Sequence, residues 1–401
     1  MRVIPYPSRD ACCVCVAFGV GMDTSESPAD AQLAHYAEHI VASFDEAESA
    51  RLDAEAVYHN AATDGAVTFF YACGSPRGVA GVWMPILLEF IRKPRVTSDR
   101  LVKEALAAKT ELHNIAQQPG ARLRELISRV ETPYSHECSI DQQLAYLSRL
   151  ASDATTARAA VVGFIKAHYV PAKAHVTIVA HDSVAGYIHG ALSRAFTHAV
   201  DPLVSHRATR VADFVFGKTH RRSADGSIST VEFRILVPST APRCALSCVT
   251  RIWQGAALKS LRQGLGSIYH VDVYATHYAH TARDRASGAY RAWVCFSFRC
   301  AMDHVVRAIE LIRAVVARGV TDAGVAEWKA TSRVRVHTTP VSILDTTLVC
   351  AGADIHQTPE LVLSAAGVAE SIALLSPAVA RALSNSIAAN MHRGLVSTYV
   401  A

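Results

Sequence analysis

The sequence predicts an α+β protein built from two related halves, each with its own strands and helices. Apolar runs rich in β-forming residues, such as 11–20 and 65–73, alternate with longer stretches of helical periodicity. A second set of strand and helix patterns begins at residue 229, after a stretch of mixed polarity at 201–228. Of the 401 residues, 50% are hydrophobic and 19% are charged, which is enough apolar material for more than one core.

The two halves resemble each other in their order of elements. The segment Ile86–Arg92, followed by Thr97, is similar to Ile309–Arg313, followed by Thr321. In each case a helix, a short break, a threonine N-cap and a second helix follow one another. Internal duplication is the simplest explanation. We therefore predict a first domain at 1–200, a connector at 201–228 and a second domain at 229–401.

Each element follows from a local pattern. Strands are predicted where β-branched, aromatic and Cys residues form short apolar runs, and helices where apolar residues recur with helical spacing between N-caps and Pro or Gly breaks. The predicted strands are 11–20, 65–73, 174–180, 231–237, 269–276 and 289–298. The predicted helices are 27–43, 79–92, 98–117, 139–168, 183–196, 244–262 and 304–317.

Composition excludes several classes of protein. The net charge of +5 is small and the basic residues are dispersed, so a nucleic-acid-binding protein is not predicted. The longest apolar run, 79–91, is interrupted by Pro85 and Glu89 and is too short for a membrane span.

Cysteine usage and the start of the chain bear on location. The ten cysteines lack the paired C-x-x-C spacing of a structural zinc site, and we predict that they are reduced. The first ten residues resemble neither a secretory signal nor a mitochondrial presequence. A cytoplasmic location is expected, and the mitochondrial matrix is the weaker alternative.

The motif with the clearest chemistry is His35-x-x-Glu38-His39, in the predicted helix 27–43. Positions i, i+3 and i+4 lie on one helix face, so the three side chains would project together. Two neutral imidazoles suit Zn²⁺, and the carboxylate suits a general base that takes a proton from a zinc-activated water. The alternative is a surface helix with two histidines and a solvated glutamate.

A catalytic zinc requires a third protein ligand. The predicted helix 98–117 carries Glu104 and Glu111, two turns apart on one face. Either carboxylate could reach the motif helix if the two helices pack together. A solvated face with two carboxylates explains the same residues equally well.

Three further segments matter for function or fold. Asn60-Ala61-Ala62-Thr63 precedes an aromatic strand. Apart from any functional role, an ordinary Asx turn that leads into the strand would explain this segment. Tyr169-Val170-Pro171 precedes the predicted strand 174–180 and bears on fold rather than chemistry. Arg262 is followed seven residues later by Tyr269, and these could be a helix-end Arg and a core Tyr.

Taken together, these motifs resemble the pitrilysin/insulysin family of inverzincin metallopeptidases, which also contains the mitochondrial processing peptidases. The resemblance covers both halves, from about residue 12 to about residue 335. It implies two duplicated α/β-roll domains, each a mostly antiparallel sheet covered by helices, which together form half of a pitrilysin-type clamshell. The second half carries no His-x-x-Glu-His.

The resemblance also implies roles for single residues. One Zn²⁺ per chain would be held by His35, His39 and Glu111, and Glu104 would orient a ligand. Glu38 would be the general base. In the second half, Arg262 and Tyr269 would stabilise the oxyanion of the transition state. Asn60 and Ala61 would align the substrate as an added strand.

The activity implied is endopeptidase hydrolysis of peptides or unfolded polypeptide segments. A homodimer or a heterodimer with a related subunit is expected, because many family members enclose the site between four such domains. The segment Met22–Ala31 departs from the family pattern, while Met1–Pro5 and His39–Asp45 resemble the poxvirus core metalloendopeptidases. A viral member would act in the host cytoplasm or the virion, in virion morphogenesis. The alternative function is a non-catalytic scaffold or assembly subunit.

Overall fold

The computed structural model describes most of the chain. The described residues are 1–22, 32–64, 67–118, 139–193, 196, 218–221, 228–266, 268–277, 290–338, 342–355, 365–393 and 395–400.

The chain forms two compact units, and each unit draws on more than one stretch of sequence. The first comprises Met1–Ile115, His136–His206 and Val341–Val362. The second comprises Ala116–Ser135, Arg207–Pro340 and Leu363–Ala401. The functional division into 1–200, 201–228 and 229–401 remains a prediction. Within its connector, residues Lys218–Arg221 form a strand of the second sheet.

Strands and helices alternate through the first unit. Its strands are β1 (Arg2–Pro5), β2 (Cys12–Phe18), β3 (Tyr58–Thr63), β4 (Thr68–Gly74) and β5 (His175–Ala180). Its helices up to residue 193 are α1 (Leu33–Ala42), α2 (Glu46–Ala54), α3 (Met84–Arg92), α4 (Ser98–Ala116), α5 (Ile140–Ser152), α6 (Ala154–His168) and α7 (Asp182–Ser193). Short helical turns lie at Pro76–Gly78, Val79–Trp83 and Pro171–Lys173.

The first sheet has the strand order β1-β5-β2-β4-β3. Only β1 and β5 pair in parallel; the other neighbours are antiparallel. The central strand β2 is buried along its whole length, which explains its continuous run of apolar residues and cysteines. Strand β3 lies at the edge, and α1 packs against it.

One prediction about the cysteines is wrong. Cys13 and Cys73 lie directly opposite each other in β2 and β4 and form a disulfide. Cys12 and Cys15, on the same strand, are free and buried. The expectation of reduced cysteines therefore fails for the Cys13–Cys73 pair, because strand pairing brings together two residues far apart in sequence.

The second unit repeats this plan. Its strands are β6 (Lys218–Arg221), β7 (Ile228–Ser239), β8 (Val271–His277), β9 (Tyr290–Ala301) and β10 (Leu395–Val400). Its first helices are α8 (Arg243–Leu265), α9 (Val305–Arg318) and α10 (Asp322–Thr338). The next helix along the chain, α11 (Ile343–Ile355), belongs to the first unit instead, where it packs on β2 and β5. The second unit continues with α12 (Ala365–Leu374) and α13 (Pro377–Asn390), with short turns at Met302–His304 and Met391–Arg393.

The duplication is visible in the strand order. The second sheet reads β6-β10-β7-β9-β8, so in both sheets the first strand pairs in parallel with the last, and the remaining pairs are antiparallel. The threonine N-caps repeat as well. Thr97 Oγ1 accepts a hydrogen bond from the Arg100 amide at 3.2 Å, and Thr321 Oγ1 accepts one from the Gly324 amide at 3.1 Å. The predicted α+β fold, with two duplicated and mostly antiparallel sheets covered by helices, is confirmed.

Two helices differ from their predicted form. The stretch 139–168 forms two helices, because Asp153 accepts hydrogen bonds from the amides of Thr155 and Thr156 and starts α6. The stretch 79–92 begins as a π-helix at Val79–Trp83 before continuing as α3. In the described part of the chain, no helix combines the length and the apolar character that crossing a membrane requires.

Candidate metal centre

Helix α1 presents the motif on one face because its opposite face is held in the core. Tyr36 and Ile40 are fully buried, and Tyr36 Oη donates a hydrogen bond to the Leu101 carbonyl of α4 at 2.9 Å. At the other end of α1, Arg100 Nη2 donates to the Ile40 carbonyl at 2.6 Å. These contacts tie α1 to α4 and fix the rotation of α1 about its axis.

The structure brings His35, His39 and Glu111 together. His35 Nε2 lies 3.2 Å from His39 Nε2. Glu111 Oε2 lies 3.5 Å from His35 Nε2 and 3.4 Å from His39 Nε2. The Glu111 side chain is 53% exposed, so the cluster is open to solvent on that side.

This triangle suits a zinc ion. Zinc bonds of about 2.0–2.1 Å in a tetrahedral arrangement place neighbouring ligand atoms roughly 3.3 Å apart. The three observed separations lie close to that value. Two imidazole nitrogens and a carboxylate oxygen are also a donor set that zinc enzymes use, with the fourth position left for water. The residues present therefore fit the metal that the sequence predicts.

Each histidine has a hydrogen-bond partner behind it. Glu104 Oε2 lies 3.4 Å from His39 Nδ1, and Glu104 Oε1 accepts a hydrogen bond from Ser43 Oγ at 2.8 Å. Gln32 Oε1 lies 2.9 Å from His35 Nδ1. Both contacts leave the Nε2 atoms facing Glu111. Gln32 is not predicted by any sequence motif, and its only signal is its position one helical turn before His35.

The carboxylates of the centre differ in their electrostatics. The hydrogen bond with His35 lowers the pKa of Glu111 to about 2, although partial burial opposes this. Burial disfavours the charged form of Glu104, but the hydrogen bonds from His39 and Ser43 outweigh it and lower its pKa. Both carboxylates are therefore ionised at neutral pH.

Glu38 is held differently. It is 8% exposed, and burial raises its pKa, although the charges of His35 and His39 act in the opposite direction. Thr63 Oγ1, at the end of β3, donates a hydrogen bond to Glu38 Oε2 at 3.2 Å. A buried carboxylate with a raised pKa is the kind of group that gains and releases a proton during catalysis.

The predicted substrate-binding residues lie on the edge strand. Asn60 and Ala61 belong to β3, which pairs with β4 on one side and forms the border of the sheet on the other. Asn60 Oδ1 accepts a hydrogen bond from the Ala61 amide at 2.8 Å. The expected alternative, an Asx turn leading into a strand, does not describe this segment, because β3 already includes both residues.

Arg262 and Tyr269 belong to the second unit, where they contact each other. Gly266 caps the C-terminus of helix α8, and its φ of 70° is the left-handed conformation common at helix ends. Arg262 Nη2 then lies 3.4 Å from the Tyr269 carbonyl, and its guanidinium lies 5.6 Å from the Tyr269 ring centre. Tyr269 is 74% exposed, so the alternative of a core tyrosine does not describe it.

Comparison with known proteins shows the fold. No family model matches the sequence, and no curated protein sequence is significantly similar to it. Solved structures do match. A protease from Helicobacter pylori is 11% identical with a TM-score of 0.74, over 100% of this chain and 96% of that one. The periplasmic protease PqqL from Escherichia coli is 12% identical with a TM-score of 0.73, over 99% of this chain.

A third neighbour is described as a peptidase M16 inactive domain, from Pseudomonas fluorescens. It is 13% identical with a TM-score of 0.71, over 99% of this chain and 94% of that one. The chain spans only 43% of the length of PqqL. At these identities the likeness establishes the fold, which is that of M16-type peptidases, and this fold occurs in proteases and in an inactive domain.

Proposed function

We propose that this protein is a zinc-dependent metalloendopeptidase of the pitrilysin/insulysin type, which hydrolyses peptides or unfolded polypeptide segments. The observation that carries the proposal is the triangle of His35 Nε2, His39 Nε2 and Glu111 Oε2, with sides of 3.2 to 3.5 Å. Glu38 lies on the same helix face, one turn from His35.

His35, His39 and Glu111 would hold the metal. Zinc bound there supplies a water of lowered pKa and polarises the substrate carbonyl. Glu38 accepts the proton from the attacking water and passes it to the leaving amine. Thr63 keeps the Glu38 carboxylate turned toward the end of β3. Glu104 holds the His39 ring in place.

Substrate binding is proposed at the outer edge of β3, which pairs with no further strand among the described residues. An extended peptide would add to this edge as a further strand, with Asn60 and Ala61 aligning its backbone. Arg262 and Tyr269 are proposed as the donors that stabilise the oxyanion. Their mutual contact and their exposure in the second unit support this role.

A second candidate function is a non-catalytic scaffold or assembly subunit. It is favoured by the likeness to the inactive domain from Pseudomonas fluorescens, which covers 94% of that chain. Against it, this chain has the candidate ligands His35, His39 and Glu111 close together, with the buried carboxylate of Glu38 on the same helix as the histidines. Zinc binding and peptide cleavage distinguish the two functions.

Oligomeric state and location are also proposals. The chain matches the first half of PqqL over 89% of that structure, so a second chain, identical or related, is proposed to complete the enclosure around the site. A stable, active monomer in light scattering would contradict this. The placement near the poxvirus core metalloendopeptidases, with a site of action in host cytoplasm or virion, rests on the short sequence resemblance alone.

The experiment compares zinc content and cleavage of a quenched peptide library. Wild type should hold one zinc per chain and cleave peptides. Glu111→Gln should lose zinc, whereas Glu38→Gln should keep zinc and lose cleavage. A wild type that binds no zinc would contradict the proposal and favour the scaffold. If it binds zinc but cleaves nothing, alone or mixed with candidate partner chains, the peptidase proposal fails.

A further inference from the structure

Gln32 has a buried side chain that the roles above leave unexplained. It is 2% exposed and occupies the N-cap position of α1, yet it makes no capping hydrogen bond. Residues at this position commonly use a side-chain oxygen to satisfy the first amides of the helix. The Gln32 amide instead lies between His35, Gln143 and Met22.

Both ends of this amide have partners. Its oxygen Oε1 lies 2.9 Å from His35 Nδ1. Its nitrogen Nε2 lies 2.7 Å from Gln143 Oε1, on α5, and 3.4 Å from Met22 Sδ. The amide therefore connects a proposed zinc ligand to a second helix and to the end of the segment that follows β2.

The contact with Met22 indicates the orientation of the Gln32 side-chain amide, that is, which end carries the NH₂ group. A glutamine amide could in principle be reversed, which would exchange its donor and acceptor ends. A thioether sulfur can accept a hydrogen bond weakly but cannot donate one. This contact favours the orientation in which the NH₂ end of Gln32 faces Met22 and Gln143 and uses its two hydrogens there. The oxygen is left for His35.

The orientation of the amide determines the tautomer of His35. An amide oxygen can only accept, so His35 Nδ1 must carry the proton in this contact. The neutral ring then has its lone pair on Nε2, the atom that faces His39 and Glu111. Glu104 acts in the same way on the other imidazole, with a carboxylate in place of a neutral amide.

We propose that Gln32 is a positioning residue that holds His35 in the tautomer and ring orientation needed to bind the metal. This role rests on the proposed zinc site. Gln143 and Met22 keep the Gln32 amide in the required direction. Partners of this kind fix the ring and raise the basicity of a histidine ligand, and their loss typically weakens metal binding about 10- to 100-fold.

The test measures the zinc dissociation constant of the full-length chain by competition with a chromogenic chelator. Gln32→Met keeps the length of the side chain and removes all three hydrogen bonds of the amide, so zinc binding should weaken about 10- to 100-fold. Gln32→Glu keeps an acceptor for His35 but loses the donor to Gln143, so zinc binding should weaken less than in Gln32→Met. Gln143→Met removes one support of the amide and should have a smaller effect than Gln32→Met.

Gln142→Met is the matched control. Gln142 is the exposed neighbour of Gln143 on α5, where it completes a capping box with Ser139. This variant perturbs the same helix without touching the metal centre, and its zinc affinity should equal that of wild type. Circular dichroism of each metal-free variant establishes that it is folded. At saturating zinc, kcat/KM of Gln32→Glu should exceed that of Gln32→Met.

Two results would overturn the assignment. One is a folded Gln32→Met that binds zinc within about twofold of wild type, and the other is a Gln32→Glu that loses as much affinity as Gln32→Met. If Gln32→Met does not fold, nitrogen NMR of the metal-free wild type decides, since the proposal requires the proton of His35 on Nδ1. A wild type without zinc would overturn the proposed function and this role together, whereas zinc binding unaffected by Gln32→Met overturns only this role.

Discussion

Glu104 lies behind His39: its Oε2 is 3.4 Å from Nδ1, whereas Nε2 of the same ring is 3.2 Å from His35 Nε2. The two nitrogens of the His39 ring therefore face partners on two different helices. Nδ1 faces the Glu104 carboxylate on α4, and Nε2 faces His35 on α1. Glu104 is 7% exposed, and Ser43 donates to its second oxygen. Its position supports an orienting role, while Glu111, two turns further along α4, reaches the Nε2 atoms.

Removal of Glu104 should weaken zinc binding without removing it. Glu104→Ala leaves His39 Nδ1 without its carboxylate, and zinc affinity should fall about 10- to 100-fold. Glu104→Gln keeps an acceptor but removes the charge, and the loss should be smaller. Asp99→Asn, an exposed acidic residue at the start of α4, is the control. Equal zinc affinity of Glu104→Ala and wild type in a chelator competition would refute the orienting role.

Zinc affinity should depend on pH through His39. In the metal-free protein burial lowers the pKa of His39, but the Glu104 hydrogen bond and the charges of Glu38 and Glu111 outweigh it and raise the pKa above 6.5. Zinc requires the neutral ring, so protons compete with the metal until the pH exceeds that raised value. Zinc affinity should therefore rise with pH through the region above 6.5 and then level off.

The same shift sets how stability depends on pH. A raised pKa means that the contribution of His39 to the stability of the metal-free protein is present at low pH and is lost as the pH rises through its folded value. Added zinc should accordingly raise the melting temperature most at the upper end of this range. Glu104→Gln should move the affinity curve to lower pH. An affinity that stays constant between about pH 5 and 8 would contradict this assignment.

Thr63 should matter for catalysis but not for metal binding. Thr63→Val keeps the β-branched shape and removes the hydroxyl that donates to Glu38 Oε2 at 3.2 Å. Hydrogen bonds to charged groups contribute about 1.5–3 kcal/mol, so kcat/KM should fall about 10-fold or more while one zinc remains bound. Thr63→Ser restores the hydroxyl and should recover most of the activity. Activity of Thr63→Val equal to that of wild type would show that the contact has no catalytic role.

The duplicated N-caps should contribute similarly in the two units. Thr97→Ala and Thr321→Ala each remove a side-chain acceptor from the first turn of a helix, and each should lower the free energy of unfolding by about 1 kcal/mol. Thr97→Ser and Thr321→Ser keep the acceptor and should change it little. Urea denaturation measures the differences. A loss in one unit and none in the other would contradict an equivalent role.

The parts of the fold that sequence could predict are those set by local patterns. The spacing of the motif residues is enough to predict the face of α1 that carries the histidines. Thr97, as an N-cap, predicts the start of α4. Asp153 is an N-cap residue type that could have predicted the start of α6, but the predicted helix 139–168 runs through it. Strand β6 could not be read locally, because its four residues become a strand only by pairing with β10 at the far end of the chain.

The candidate site shows the same limit. The residues alone left Glu104 and Glu111 equivalent, and only the packing of α4 against α1 separates the carboxylate that faces Nδ1 from the one that faces Nε2. The Cys13–Cys73 disulfide depends on the register of β2 and β4, which no short pattern reveals. Gln32 acquires its role from Gln143, which is 111 positions away in sequence.

Zinc X-ray absorption spectroscopy on the purified protein tests the metal centre most directly, because it counts the atoms bound to the ion. We expect two imidazole nitrogens and carboxylate or water oxygens at about 2.0–2.1 Å, and loss of the bound zinc in His35→Ala. Sulfur at about 2.3 Å would mean that cysteines hold the metal. That result, or the absence of stoichiometric zinc, would contradict the assignment of His35, His39 and Glu111.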